Sequence, residues 1–336
     1  MFFRPGDVLN RLASVALRIT VFLTVSCLGH SQAQASNIAV IHKGSHLDFW
    51  ELMHQGVKRG ERESRQSVNW IGAEYVDNAT SQARKMRDAF EKGAKVILLI
   101  PANGKTLRPV VKEITDKGAK VIVLDSALEG QDFSSFVGSD NLKGGREAAR
   151  KLAKKLNGKG KVALIRTVED SKSTDKRAKG FRMELSKNFP NIEIAADMYT
   201  GGLAESTYRK VRDLVSETGD LDGIFAVNES STVGTIKALK EKGLGQTIRT
   251  VGYDYSPEID AAIRSNLLSG VIIQDPMSMG YIGIRQALAL INNEKIPPVT
   301  YTKTTWVNKL NLDSPSIQTM IRPNIVGKKA KKVPRG

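Results

Sequence analysis

The tightest restriction on how this chain folds is an alternation, repeated along its length, of short unbroken apolar runs with amphipathic stretches. Apolar runs occupy 38–41, 96–100, 121–124, 162–165, 223–227, 250–253 and 271–273, with helical patterns at 82–90, 107–115, 148–156, 208–215 and 232–239 between them. Strand, helix, strand in that order predicts parallel sheets with helices on both faces. The strands read as continuous rather than alternating apolar runs, which is the pattern that burial on both faces selects. So many strands exceed one compact sheet, and two α/β lobes are expected.

Polar residues punctuate the strand ends. Lys43-Gly44-Ser45 follows the first apolar run, Asp125-Ser126 a later one, and Asn228-Glu229-Ser230 and Asp254 two in the second half. In open parallel sheets ligands bind beyond the carboxyl ends of the strands, so these residues are candidate ligand contacts. Several also stand at helix starts, where backbone N–H groups need caps, and capping is the alternative reading for each.

The formal charge of +16 raises the question of nucleic acid. The first 35 residues carry a net +2 and the tail from Gly327 a net +5, leaving +9 spread over the body, as at Lys151, Lys154 and Lys155. Charge so dispersed reads as solvated surface, and no nucleic-acid partner is expected. Arg4, Arg11 and Arg18 precede or interrupt a weakly apolar stretch that ends in Ala33-Gln34-Ala35, a small-x-small site. This predicts a secretory signal peptide over 1–35, too short in its apolar run to span a bilayer. A rival reading makes Cys27 a lipoprotein acceptor, although Thr24 fits that pattern poorly. Cys27 is the only cysteine, so cleavage after Ala35 would leave a mature chain without disulfides or thiol chemistry. The expected location is the periplasm, and the basic end at 324–336 is expected to be a disordered tail.

Seven segments in order carry a family resemblance. His42-Lys43-Gly44-Ser45-His46-Leu47-Asp48-Phe49-Trp50, before a helix containing Gly56, resembles the first ligand loop of ribose-type periplasmic binding proteins. Val123-Leu124-Asp125-Ser126 and Val137-Gly138-Ser139-Asp140-Asn141 with Gly144-Gly145 follow in that family's order. So do Arg177-Ala178-Lys179-Gly180-Phe181, Phe225-Ala226-Val227-Asn228-Glu229, Val251-Gly252-Tyr253-Asp254 and Ile273-Gln274-Asp275-Pro276. The similarity runs from about Ile38 to about Pro323. It implies the type I architecture of two Rossmann-like lobes with parallel sheets joined by three crossover strands. Lobe one would be 36–139 plus 275–303 and lobe two 140–274 plus 304–323, hinging shut on a ligand between them.

The resemblance and the residue chemistry together nominate a ligand set. Phe49 and Trp50, at the start of the first helix, would face the C–H surface of a sugar ring. Asp125 and Asp254 would each accept from adjacent hydroxyls, in charge-assisted bonds about twice as strong as neutral ones. Asn228 and Gln274 both donate and accept, as hydroxyls do. The matching segments add Ser126, Ser139 and Tyr253. Ribose-type proteins carry an Arg six residues before the Phe of Arg-x-x-Gly-Phe; here that position is Asp175, which argues against ribose itself. Arg177 does match, in a position that reads more as structural than as a contact. Lys43 would balance part of the acidity from Asp125, Asp175, Asp254 and Glu229, so the cleft should repel anions. The expected ligand is a small neutral polyhydroxylated molecule, a sugar or polyol, with a cationic ligand as the other charge-compatible class.

His42, His46 and His54 fall close together but lack the i, i+4 pairing of helical zinc motifs, so no metal is expected. Gly158-Lys159-Gly160 precedes a strand and reads as a turn, not a dinucleotide fingerprint, and no cofactor is expected. Nothing assembles a nucleophile, base and orienter, so no enzyme is expected. A related repressor would need a helix-turn-helix where the leader stands. There remain a monomeric binding protein delivering ligand to an ABC permease and, alternatively, a periplasmic sensory subunit presenting ligand to a membrane receptor or histidine kinase.

Overall fold

Two six-stranded sheets organise the computed structural model, which describes residues 36–44, 47–72 and 78–322. The expected leader, with Cys27, the loop residues Ser45 and His46, and the basic tail lie outside the described residues. The first sheet contains β1 (Ile38–Ile41), β2 (Val68–Ile71), β3 (Val96–Leu99), β4 (Lys120–Leu124), β5 (Ser135–Ser139) and β11 (Val299–Thr302). Its order is β11-β5-β4-β3-β1-β2, and every pair is parallel. The second contains β6 (Gly160–Arg166), β7 (Ile192–Tyr199), β8 (Gly223–Ala226), β9 (Arg249–Tyr253), β10 (Gly270–Ile273) and β12 (Thr305–Val307). Its order is β12-β10-β9-β8-β6-β7, the same arrangement, except that the edge strand β12 runs antiparallel to β10. The protein thus has the two mostly parallel α/β lobes expected of it.

The helices are α1 (Asp48–Ser64), α2 (Ala79–Glu91), α3 (Arg108–Asp116), α4 (Asn141–Lys155), α5 (Lys172–Asn188), α6 (Ala204–Glu217), α7 (Glu229–Glu241), α8 (Pro257–Arg264), α9 (Pro276–Ile291) and α10 (Pro315–Ile321). Successive side chains of a strand point to opposite faces, and β1 shows why its run must be wholly apolar. Ile38 and Val40 pack with Met53 and Val57 of α1 and Met279 and Ile284 of α9. Ala39 and Ile41 pack on the other face with Met86 of α2 and Val110, Val111 and Ile114 of α3. Each large apolar side chain buried this way contributes about 1.5–3 kcal/mol relative to exposure.

The chain passes between the sheets three times: from Ser139 into α4, from Ile273 towards α9, and from Thr302 to Thr305. At the first two passages a glycine-lined helix pair locks the incoming helix. A Cβ on Gly145 of α4 would lie 1.9 Å from the Arg177 carbonyl oxygen of α5, and one on Gly180 would lie 2.1 Å from that of Leu142. Across α9 and α1, a Cβ on Gly280 would lie 2.2 Å from the Met53 carbonyl oxygen. These backbones touch because neither side carries a side chain at the crossing.

Candidate ligand cleft

A cavity of about 350 Å³ opens where the carboxyl ends of both sets of strands face each other. From the first sheet's side it is lined by Lys43, Phe49, Trp50 and Asp125, and from the second's by Arg177, Asn228 and Asp254, with Gln274 at the second passage between them. Eight of the twelve nominated residues therefore converge on one space.

Asp125 and Asp254 each follow a strand directly, and each holds a left-handed backbone, with φ of 59° and 68°. Asp tolerates that conformation better than most residues. Their amides bond to the carbonyls of Val137 and Ile272 on the neighbouring strand, 2.9 Å in both cases, which aims the carboxylates off the sheet ends. Lys43 Nζ donates to Asp125 Oδ2 at 3.1 Å and lies 5.5 Å from the centre of the Trp50 ring. Trp50 meets Phe49 edge to face at 4.8 Å. The two rings and the ammonium form one amphipathic wall.

The opposite wall is a network around Asp254. Gln274 Nε2 donates to its Oδ1 at 2.7 Å, the Glu229 amide donates to Oδ2 at 3.1 Å, and Arg177 Nη1 lies 3.7 Å from Oδ2. Arg177 is held from every side. Its Nε donates to Asn141 Oδ1 at 2.7 Å, Nη1 donates to the Val227 carbonyl at 2.9 Å, and its guanidinium stacks 3.8 Å from the centre of the Tyr253 ring. Burial raises the Asp254 carboxyl above its ordinary pKa, and the Arg177 charge and the Gln274 hydrogen bond oppose that rise. Burial, followed by the neighbouring Asp254 charge, raises Glu229 well above the usual carboxyl range. Gln274 Oε1 is buried without a hydrogen-bond partner among the described residues, an acceptor available to a hydroxyl.

Asn228 is a cavity residue and a helix cap at once. It lines the cavity, and its Oδ1 accepts from the Ser231 amide at 3.0 Å in a capping box that starts α7. Asp254 does not cap α8, the next helix in sequence; Ser256 does, accepting from the Ile259 amide.

Four nominated residues stand apart from the cavity wall. Ser126 Oγ accepts from the Ser173 amide at 3.3 Å, tying the first sheet's side to the first turn of α5. Ser139 faces a second crevice, beside Asn141 and Tyr301. Tyr253 lies beneath Arg177, fully buried, with its hydroxyl against Gly144. Asp175 bonds to Arg166 Nη2 at 2.6 Å, so it adds no free charge to the cleft. Cavity residues that the sequence did not nominate include Asn78, Asn103 and Thr106 on one side and Thr167, Ser173 and Thr174 on the other. Asn78 and Asn103 carry a local signal, since each accepts from amides at the start of a helix or turn.

Of the three histidines, His42 and His54 stack on Trp70, with ring centres 4.6 and 4.4 Å from it. Among the described residues no cluster of His, Cys, Asp or Glu has metal-holding geometry, and no helix is long and apolar enough to cross a membrane.

Two α/β lobes facing each other across a cavity ringed by carboxylates, amides and aromatic rings define a class of small-molecule binding protein. The chain belongs to the periplasmic binding protein domain family, whose model matches residues 38–295. It is 25% identical over 289 residues to the D-ribose/D-allose-binding protein of Pseudomonas aeruginosa, covering 83% of this chain and 90% of that one. It is 29% identical over 258 residues to the galactofuranose-binding protein YtfQ of Escherichia coli, covering 73% of this chain and 80% of the relative. A solute-binding protein of a carbohydrate transporter from Agrobacterium radiobacter, solved in complex with D-arabinose, superposes with a TM-score of 0.82 at 27% identity. That match covers 87% of this chain and all of the other. The family is one of binding proteins, and these relatives are sugar-binding proteins, one of them of a carbohydrate transporter.

Proposed function

We propose that this protein captures a neutral monosaccharide or polyol in the interlobe cavity and delivers it to an ABC permease from the periplasm, as a monomer without a cofactor. The observation that carries the reading is the pairing of charges in the cavity wall. Lys43 with Asp125 on one side and Arg177 with Asp254 on the other cancel each other, so the wall offers strong, oriented hydrogen-bonding groups with no net charge. Such a wall favours hydroxyls, because any ionised ligand would have to leave its hydration without gaining an unpaired counter-charge. This reading drops the cationic ligand that the acidic residues alone suggest, since Asp175 pairs with Arg166 and Glu229 is engaged by backbone amides. The Phe49 and Trp50 rings supply the apolar surface that a sugar's C–H face requires. Relatives that bind ribose, allose, arabinose and galactofuranose support the ligand class, and the departure at Asp175 keeps the particular sugar open to experiment.

Titration calorimetry tests the proposal directly, using neutral pentoses, hexoses and polyols beside a matched amino sugar and a sugar acid. Saturable heat is expected with at least one neutral member and none with its charged counterparts. Binding confined to a charged ligand, or no binding at all, overturns the reading.

A further inference from the structure

Glu229 belongs to the second lobe, at the start of α7, yet its carboxylate reaches across to the first. Oε1 accepts from the Asp48 amide at 3.2 Å and Oε2 from the Phe49 amide at 3.3 Å. Asp48 and Phe49 are the first two residues of α1. The opening N–H groups of a helix have no partner within it and are normally met by a cap. Here the preceding residue is Leu47, whose side chain has no acceptor, and α1 has no side-chain cap of its own. The missing cap comes from the opposite lobe. Glu229 is only 4% exposed, and its own amide bonds to Asp254, the centre of the ligand-site network. One residue thus connects the carboxylate that faces the cavity with the helical turn that carries Phe49 and Trp50.

We infer that Glu229 is a positioning residue for ligand capture, a cap supplied in trans that fixes the first turn of α1, and with it Phe49 and Trp50, over the bound molecule. The inference rests on the proposed sugar capture. The cap exists only while the two lobes meet, so its strength stabilises the closed form and slows ligand escape without contributing to either lobe alone. Cross-lobe contacts at the other rim, Ser126 to Ser173 and Lys172 to Glu129 at 2.7 Å, hold the rims together but touch neither ring.

The test compares wild type with Glu229→Ala and Glu229→Asp. It measures stopped-flow dissociation of the neutral sugar that binds wild type best, amide hydrogen exchange at Asp48 and Phe49, and the melting temperature without sugar. Loss of the two buried hydrogen bonds from the Asp48 and Phe49 amides converts to an expected dissociation about ten- to a hundred-fold faster in Glu229→Ala. Sugar-dependent protection of the two amides is lost, while the unliganded melting temperature stays at the wild-type value. Wild-type dissociation and protection in Glu229→Ala overturn the inference. If Glu229→Ala does not fold, Glu229→Asp decides. Its carboxylate suits the first turn of α7 but is one methylene too short to reach α1, so faster dissociation supports the cap and an unchanged rate overturns it. If no sugar binds wild type, the sugar reading fails separately. Exchange at Asp48 and Phe49 is then measured with the lobes held together by a disulfide between Ser126→Cys and Ser173→Cys, whose side-chain oxygens lie 3.3 Å apart: faster exchange on adding Glu229→Ala supports the cap, and equal exchange overturns it.

Discussion

Asp125 and Asp254 are topological counterparts: each directly follows the third strand of its sheet's shared order, β4 or β9, with its backbone turned left-handed and its amide bonded to the adjacent strand. The fold repeats its architecture in both lobes and so delivers a carboxylate from each side to one cavity. Each is neutralised by a different cation, Lys43 or Arg177, and that difference makes the two walls chemically distinct.

Replacing Asp254 separates charge from shape. Asp254→Ala leaves the buried Arg177 charge short of its counter-ion and puts alanine in a left-handed conformation, a loss of about 3–5 kcal/mol for breaking a buried pair. Asp254→Asn keeps the size and tolerates the backbone, and should unfold within about 2 kcal/mol of wild type while binding sugar about ten-fold more weakly. Chemical denaturation and calorimetry on both variants check this; equal stability losses would refute the separation.

Trp50→Ala should weaken sugar binding by at least about ten-fold and, because Trp50 is buried in the core beside Met53, also cost about 3–5 kcal/mol of stability, whereas Trp50→Phe should retain most of both, because an aromatic face is the shared requirement. Wild-type tryptophan fluorescence should also shift on sugar addition, and the shift should disappear in Trp50→Ala. A persistent shift would assign it to Trp70 or Trp306.

Gly145→Ala probes the joint between α4 and α5. The added methyl would sit 1.9 Å from the Arg177 carbonyl oxygen, a backbone atom that cannot rotate away. The expected cost is about 1–3 kcal/mol or more, together with weakened ligand binding, since α5 carries Arg177. Gly158→Ala, where no atom lies within 4 Å but φ is 78°, should cost only the backbone strain of about 1–2 kcal/mol and leave binding intact. Melting curves and calorimetry of the pair check the contrast.

Acid titration should distinguish two carboxyls by sign. Burial raises Asp254, so its stabilising contribution is complete below the ordinary Asp value and is lost as pH rises through the raised one. Hydrogen bonds from Arg87 and Lys117 lower Glu113 to about 2, so its contribution is complete above the ordinary Glu value and is lost as pH falls towards about 2. The melting-temperature difference between wild type and Asp254→Asn should therefore move against wild type with rising pH. The difference from Glu113→Gln should vanish as pH falls. Parallel curves for the two variants would contradict the assignment.

The strands legible in the sequence were the ones buried on both faces. The runs at 38–41 and 96–100 could be read because every position is apolar, whereas β7 alternates Ile192, Glu193 and Ile194 as an edge strand half open to water. Strand β11 is exposed at Val299 and Tyr301 and carries no apolar run to detect. The site divides similarly. Asp125, Asp254 and Asn228 are readable because each immediately follows a buried apolar run, while Thr106 and Thr174 reach the cavity from loop and helix positions that look like any polar surface. Ser126 shares that local signal and Asp175 is named only through the family's motif, yet their partners are Ser173 and Arg166, and only three-dimensional distance shows it. Glu229 was visible as acidity, but its attachment to α1 depends on how the lobes meet.

The first sheet owes its outermost strand to residues 299–302, which the ribosome adds only after the whole second sheet except β12 has been made. A growing chain cannot complete its earlier half until nearly all of it has been synthesised.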